Sequence, residues 1–308
     1  MVPGRDRAVN GLSALGRRYP LYRGHGWLAH HVLPAPAPAT GGRADPREVA
    51  LRRGPRVLVR TDEFIGRIVF YFGELDPRIS WVCRRLLRPG DVVVDVGANY
   101  GVVALLAAQL VGPTGTVHAV EPQPEVASLL RRSAIRNGFL HLHVHELALS
   151  DSDGELELSI PVGHLGGASL SRTADQASAV AVQVRHSGRF LFDLDVADIR
   201  LLKLDIEGHE PEFLRGGRAF LGDRPPAAIL FESNDGLYAS SPPVGFWERE
   251  PVRALRELDY EMVRIGQAPG AVAPRLSRVA AGRDDPGLDF VAIHRPRYRE
   301  VAGLLGVR

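Results

Sequence analysis

From Asp91 onward the chain alternates short unbroken apolar runs with amphipathic stretches. "DVVVDVG" (91–97) sets four valines around one acid, ends in Gly97 and predicts a buried strand. "YGVVALLAAQLV" (100–111) predicts a helix closed by "GPTG". "TVHAVEP" (116–122) reads as the next strand, and "PEVASLLRRSAIRNG" (124–138) as a helix stopped at Asn137-Gly138. "LHLHVHELAL" (140–149) predicts a third strand and "GELELSI" (154–160) one arm of an extra hairpin. "IRLLKLDIEG" (199–208) and "AAILFESN" (227–234) predict two more strands, separated by a helix over "EPEFLRGGRAFL" (210–221). "YEMVRIG" (260–266) and "DFVAIHRP" (289–296) close the series. Such a sequence predicts a mostly parallel sheet covered on both faces, an α/β doubly wound, Rossmann-like fold.

The first 90 residues are less regular. Residues 1–55 are rich in Arg, Gly, Pro and Ala and read as a partly irregular extension. It carries a helix near Val9–Arg18 and a linker over "APAPATGGRADP" (35–46). "RVLVRT" (56–61) and "RIVFYFG" (67–73) predict two strands, paired as a hairpin. "DPRISWVCRRLLRPGD" (76–91) places Trp81, Val82, Leu86 and Leu87 at helical spacing and stops at Pro89-Gly90. The expected division is extension 1–55, lead-in 56–90, main domain 91–298 and tail 299–308.

Composition narrows the class. The 308 residues are 45% hydrophobic and 24% charged, with a net charge of +2, which suits a soluble globular protein and gives no global pull toward nucleic acid. A single cysteine, Cys83, excludes an internal disulfide and fits a reducing compartment. No run approaches 18 apolar residues. The expectation is therefore a cytoplasmic protein with a small-molecule partner, no membrane and no nucleic acid. Homo-oligomerisation stays open.

In a doubly wound sheet, ligands bind where strand order reverses, at the carboxyl ends of the strands. "VDVGANYG" (94–101) stands at such an end. Gly97 lets the backbone turn and approach a ligand, and Gly101 lets helix pack on strand. Glu121 follows at the tip of the second strand, placed to accept from both hydroxyls of a ribose. NAD and S-adenosylmethionine both fit this much. A dinucleotide loop carries a middle glycine against the pyrophosphate, and here Asn99 stands in its place. Asp95 would repel a pyrophosphate and favour a sulfonium, which leans the reading toward S-adenosylmethionine.

"LRPGDVVVDVGANYG", "VHAVEPQPE", "ALSDSDGELEL", "GGASL" and "LLKLDIEGHEPEFLRGG" followed by "AAILFESN" resemble the FkbM-type family of class I S-adenosylmethionine-dependent methyltransferases. The likeness runs from about Arg56 to Asn234. It implies a seven-stranded sheet with an antiparallel last strand, and O-methylation of a carbohydrate or secondary-metabolite hydroxyl such as a polyketide or glycoside. It also implies that Pro122, Ala148 and Leu149 join Asp95, Gly97, Asn99, Gly101 and Glu121 around the cofactor. Two positions depart from the family pattern: "GELDP" (73–77), and Ser133 where asparagine is common.

"LLKLDIEGHE" (201–210) holds the chain's only lysine, Lys203. Residues i and i+2 on a strand share a face about 7 Å apart, so Lys203 and Asp205 point the same way. A buried ammonium needs a carboxylate, and Asp205 or Glu232 is within the predicted reach. Asp205, at the strand tip, is the expected acceptor of the substrate proton, with Glu207 or His209 as alternatives. Glu207 and Glu210 also suit a helix start. Asp205, Glu232 and Asn234 at neighbouring strand tips form a candidate magnesium site. His141, His143 and His145 in "HLHVHE" have zinc-like spacing but read better as half-buried edge residues. "RRYPLYRGHGW" (17–27) is too short and isolated to mark a nucleic-acid binder. "DIEG" replaces the Asn/Asp-Pro-Pro-aromatic loop of nucleobase amino-methylases. The alternatives that remain are an NAD-dependent oxidoreductase and a catalytically degenerate methyltransferase fold.

Overall fold

Valine-rich runs and amphipathic segments assemble around one eight-stranded sheet. The computed structural model describes residues 11–17, 28, 33, 45–161, 167–170, 177–233, 244–266, 273–280 and 289–307. In chain order the strands are β1 (Arg47–Ala50), β2 (Arg56–Val59), β3 (Val92–Val96), β4 (Thr116–Val120), β5 (Leu142–His145), β6 (Ala148–Ser150), β7 (Gly154–Pro161), β8 (Ala177–His186), β9 (Leu201–Leu204), β10 (Ala228–Glu232), β11 (Tyr260–Gly266), β12 (Arg275–Arg278) and β13 (Asp289–His294). The helices are α1 (Phe64–Phe72), α2 (Pro77–Leu86), α3 (Val102–Val111), α4 (Pro124–Arg136), α5 (Ser187–Asp193), α6 (Glu210–Asp223), α7 (Glu250–Glu257) and α8 (Tyr298–Leu305).

The main sheet runs β12-β11-β13-β10-β9-β3-β4-β5. β5, β4, β3, β9 and β10 are parallel, while β13 is antiparallel to both β10 and β11. The expected mostly parallel sheet with an antiparallel last strand is present. It carries one strand beyond the expected seven, because β12 adds antiparallel to the β11 edge. The chain winds from β3 to β4 and β5 on one side and later returns to β9 and β10 on the other. The reversal lies between β3 and β9. Val93, Val94 and Val96 of β3 and Leu201, Leu202 and Leu204 of β9 are each no more than 1% exposed. Apolar packing on both faces is what stabilises these central strands.

Three segments differ from the sequence reading. Residues 67–73 lie in helix α1 and at its C-cap, not in a strand. Beta-branched and aromatic content suggested a strand, but the caps decide it. Glu63 accepts from the amides of Ile65 and Gly66 at the start, and Gly73 closes the end with φ +70. The partner of β2 is therefore not 67–73 but β1, from the stretch read as extension. "LHLHVHELAL" is likewise two strands, since β5 joins the main sheet and β6 a separate sheet of order β6-β8-β7. The "GELELSI" arm does form a hairpin, with β7 antiparallel to β8. The stretch read as a tail holds most of α8, whose Val301 and Leu305 are buried.

Ser133, one of the two departures from the family pattern, has a task. Its Oγ accepts from the Leu58 amide (2.9 Å) and donates to Leu129 O (2.7 Å), while Asn137 Oδ1 accepts from the Arg56 amide (2.9 Å). These bonds tie the edge of β2 to α4. Among the described residues no helix is long and apolar enough to cross a membrane.

Candidate active site

At the carboxyl ends of β3, β4, β9 and β10 lies a cavity of about 370 Å³, within the size range of small-molecule sites. Gly97, Asn99, Glu121, Pro122, Ala148 and Leu149 line one part of it. Lys203, Asp205, Glu207, His209 and Glu232 line the rest. Eleven of the sequence-predicted residues thus meet in one space. Asp95 and Gly101 are not among its lining residues, and Asn234 lies outside the described residues.

The glycine loop is shaped by close approach. Gly97 has φ +76, and any Cβ there would collide with the carbonyl oxygen of Asp205. Glycine is what lets the ends of β3 and β9 sit side by side. Asn99, at φ +51, accepts from the Tyr100 amide through its own Oδ1 (2.8 Å). The Asn99 amide donates to Glu121 Oε2 (2.8 Å) and the Gln123 amide to Glu121 Oε1 (2.9 Å). Glu121 is 3% exposed; burial pushes its carboxyl up to about 7 against those two amide bonds. Each carboxylate oxygen has two lone-pair sites, so acceptor capacity remains for a ribose. Gly101 serves packing, since a Cβ there would strike Leu130.

Lys203 sits at the reversal point. Its Nζ lies 3.2 Å from Asp95 Oδ1 and 3.3 Å from Asp205 Oδ2, and donates to Gly97 O at 3.2 Å. Burial disfavours the ammonium, but Asp95 and Asp205 outweigh it and hold Lys203 protonated. The expected partner Asp205 is present, but the second is Asp95 rather than Glu232. This corrects the electrostatic reading of Asp95. That carboxylate is 0% exposed and faces Lys203, so its charge is spent on the β3–β9 pair instead of on a cofactor cation. The contact is an ion pair; neither Asp95 oxygen has a directed hydrogen bond among the described residues. The acids that do face the cavity are on the strand tips.

Those acids form a row. The parallel register that sets Phe231 beside Leu204 puts Glu232 level with Asp205, and Glu232 pairs with Asp289 on β13. Burial, then the carboxylates of Asp205, Asp289, Glu207 and Glu210, push Glu232 up to about 8. Burial likewise raises Asp289 to about 6, although Arg78 Nη2 contacts its Oδ2 at 2.5 Å. Arg78 also binds Asp76, the N-cap of α2. The "GELDP" stretch and the Arg78 just after it therefore supply the Asp76–Arg78 end of the cavity, and neither Arg78 nor Asp289 was singled out from the sequence. Arginine two residues past an N-cap aspartate was the available signal.

The turn after β9 is held internally. Glu210 is 0% exposed and accepts from the amides of Ile206 (3.0 Å) and Gly208 (3.1 Å), so it organises the turn and the start of α6. Glu207 adopts φ +54 and Gly208 φ +96. His209 Nε2 meets Ser150 Oγ at 2.9 Å and its Nδ1 faces Glu212 at 3.6 Å. Burial lowers its pKa. His209 is thereby committed to holding β6 against α6, which weakens its candidacy as a base.

Neither metal reading gains support from the geometry. Among the described residues no three His, Cys, Asp or Glu side chains are grouped to hold an ion. Asp205 is engaged by Lys203. His141 Nε2 bonds Ala108 O (2.8 Å), apart from the His118–His145 pair (3.2 Å). Burial pushes both members of that pair down to about 4; they stay neutral.

Residues 95–262 match the family model described as "Methyltransferase FkbM domain". Among curated proteins, 51 residues are 55% identical to "31-O-demethyl-FK506 methyltransferase FkbM" of Streptomyces tacrolimicus, covering 17% of this chain and 19% of that one. A protein-L-isoaspartate O-methyltransferase of Aeropyrum pernix is 44% identical over 52 residues, 17% of this chain and 20% of its own. The chain thus spans about a fifth of the length of these relatives. Among solved structures, methyltransferase FkbM from Methylobacillus flagellatus aligns over 74% of this chain and 54% of its own, with 16% identity and a TM-score of 0.40. The family match runs from the end of β3 to the start of β11, and takes in the glycine loop, Glu121, Asp205 and Glu232 but not Asp289. It excludes the oxidoreductase reading. With more than half of its residues inside that match, the chain belongs to the FkbM methyltransferase family.

Proposed function

We propose that this enzyme methylates a hydroxyl oxygen of an uncharged, hydroxyl-rich acceptor of carbohydrate or secondary-metabolite type. The observation that carries the reading is the carboxyl row Asp205, Glu232 and Asp289 along one side of the cavity. Hydroxyls donate to carboxylates. A phosphate or carboxylate on the acceptor, or a nucleic-acid backbone, would add negative charge to a row whose burial and mutual repulsion already raise Glu232 and Asp289 above the usual carboxylate range. The Streptomyces tacrolimicus relative is named for a 31-O-demethyl acceptor, in keeping with oxygen as the nucleophile.

The residues fit the cofactor. Glu121 accepts the ribose hydroxyls, Gly97 and Asn99 turn the backbone beside it, and Pro122, Ala148 and Leu149 give an apolar seat for a flat base. When bound, S-adenosylmethionine supplies an activated methyl group on a sulfonium. The chain's own task is to align the acceptor oxygen and remove its proton. Asp205 takes that role, with one carboxylate oxygen fixed by Lys203 and the side chain 37% exposed toward the cavity. Glu207 is the nearest alternative on the same turn. No step calls for magnesium.

The test is methyl transfer from labelled S-adenosylmethionine to a library pairing neutral glycosides and polyketide alcohols with their phosphorylated or carboxylated analogues. Label on oxygen of the neutral members is expected. Label on nitrogen, or transfer only to the anionic members, would overturn the reading.

A further inference from the structure

The "GGASL" motif has had no task so far, and its serine is placed to have one. Ser169 is 2% exposed. Its backbone pairs with Ser159 of β7 in both directions, each bond 3.0 Å. Its Oγ donates to the carbonyl oxygen of Glu207 at 2.8 Å. The neighbours Ala168 and Leu170 line the cavity, as does Leu158 of β7. Ser169 therefore joins the three-stranded sheet that walls the cavity to the turn that presents Asp205 and Glu207.

That turn needs holding. A non-glycine residue at φ +54 sits in a sparsely populated region, and such strain persists only where the surroundings over-determine it. Glu210 fixes the turn from within through the Ile206 and Gly208 amides. The Ser169 hydroxyl fixes it from outside through the Glu207 carbonyl. A second bond, between His209 and Ser150 of β6, holds the far edge of the same sheet. Gly216 lets β6 seat closely on α6, since a Cβ there would crowd the Ser150 carbonyl.

We propose that Ser169 is a positioning residue for methyl transfer: its hydroxyl sets the distance between the acceptor-facing wall and the Asp205–Glu207 turn. The inference rests on the oxygen-methylation reading for the identity of the nucleophile, but not for the clamp itself. Ser169→Ala removes the bond and little volume. Ser169→Thr keeps the hydroxyl.

The experiment combines two measurements on the full chain. Amide hydrogen exchange with S-adenosylhomocysteine bound should show Gly208 and His209 exchanging about five- to tenfold faster in Ser169→Ala, with β9 unchanged. Exchange in Ser169→Thr should match the parent. With the best acceptor from the library, kcat should fall about five- to tenfold in Ser169→Ala and recover in Ser169→Thr. KM for S-adenosylmethionine should stay within about twofold of the parent in both. Parent-like exchange or parent-like kcat in Ser169→Ala overturns the proposal. So does an equal loss in both variants, which would make volume rather than the hydroxyl the cause. Transfer to nitrogen alone in the screen would remove the oxygen reading, while the exchange and rescue pattern would still decide the clamp.

Discussion

Lys203→Met removes the ammonium of the chain's only lysine from a slot it shares with two acids. In the parent, Asp95 Oδ1 and Asp205 Oδ2 lie 3.2 and 3.3 Å from Nζ, and Gly97 O accepts at 3.2 Å. Asp205 reaches solvent and can rehydrate. Asp95 is 0% exposed and cannot. Breaking a buried pair by deleting one partner costs roughly 3–5 kcal/mol, because the other charge stays buried. At roughly 2 °C per kcal/mol for a chain of this size, the melting temperature should fall by about 6–10 °C. The pH dependence follows from Asp95. Burial raises its pKa and Lys203 offsets part of that rise. A carboxyl with a raised folded pKa stabilises the fold when protonated and loses that contribution as pH rises. The deficit of Lys203→Met should therefore be larger at pH 8 than at pH 5. Adding Asp95→Asn to it should recover most of the loss. Lys203→Arg should also destabilise, since a guanidinium fork is wider than a slot bounded by two strands and the Gly97 carbonyl. Thermal unfolding followed by circular dichroism reads all three variants against the parent. A Lys203→Met melting temperature within about 1 °C of the parent at pH 8 would refute the buried-pair account.

Glu121→Ala should weaken S-adenosylhomocysteine binding at least about tenfold by calorimetry. It loses charge-assisted bonds worth roughly 1.5–3 kcal/mol each and frees the Asn99 and Gln123 amides. Unchanged affinity would place the ribose elsewhere. Three buried acids of the cavity should make stability fall as pH rises from about 4 to about 8. Glu232, Glu121 and Asp289 have folded pKa values raised to about 8, 7 and 6 from ordinary values of 4.5, 4.5 and 3.8, so the stability their protonated forms contribute is present below the ordinary values and lost as pH rises through the folded ones. Glu232→Gln should flatten the upper part of the curve; an equally steep fall in the variant would point to other groups.

The parallel core was legible because its signals are local and strong. Four valines before Gly97, and Leu201–Leu204 before Asp205, permit little else than buried strands. The loop glycines announce themselves by the close approaches they allow. What was misread depended on tertiary context. "RIVFYFG" has strand composition, and only its capping residues Glu63 and Gly73 declare a helix. The break at Glu146–Leu147 is invisible in an alternating run, since both halves remain strands and differ only in which sheet they join. The partnership of Lys203 with Asp95 crosses from β9 to β3, and no spacing rule along one strand shows a neighbour on the next. Arg78 and Asp289 meet across 211 positions for the same reason. Ser133, legible only as a departure from the family pattern, and Ser169, legible only as part of "GGASL", gave no sign of what they bind, because a serine becomes a tie only when a backbone group is brought to it.

The central claim is that the Asp205 end of the cavity is where an acceptor hydroxyl loses its proton. Asp205→Asn tests it most directly, because the variant keeps the shape and removes the charge. Transfer of the labelled methyl group to the best library acceptor should slow by about 10²–10⁴, with S-adenosylhomocysteine affinity within a few-fold of the parent. The loss should not respond to EDTA or added magnesium. Parent-like turnover in Asp205→Asn, with the methyl still arriving on oxygen, would contradict the account.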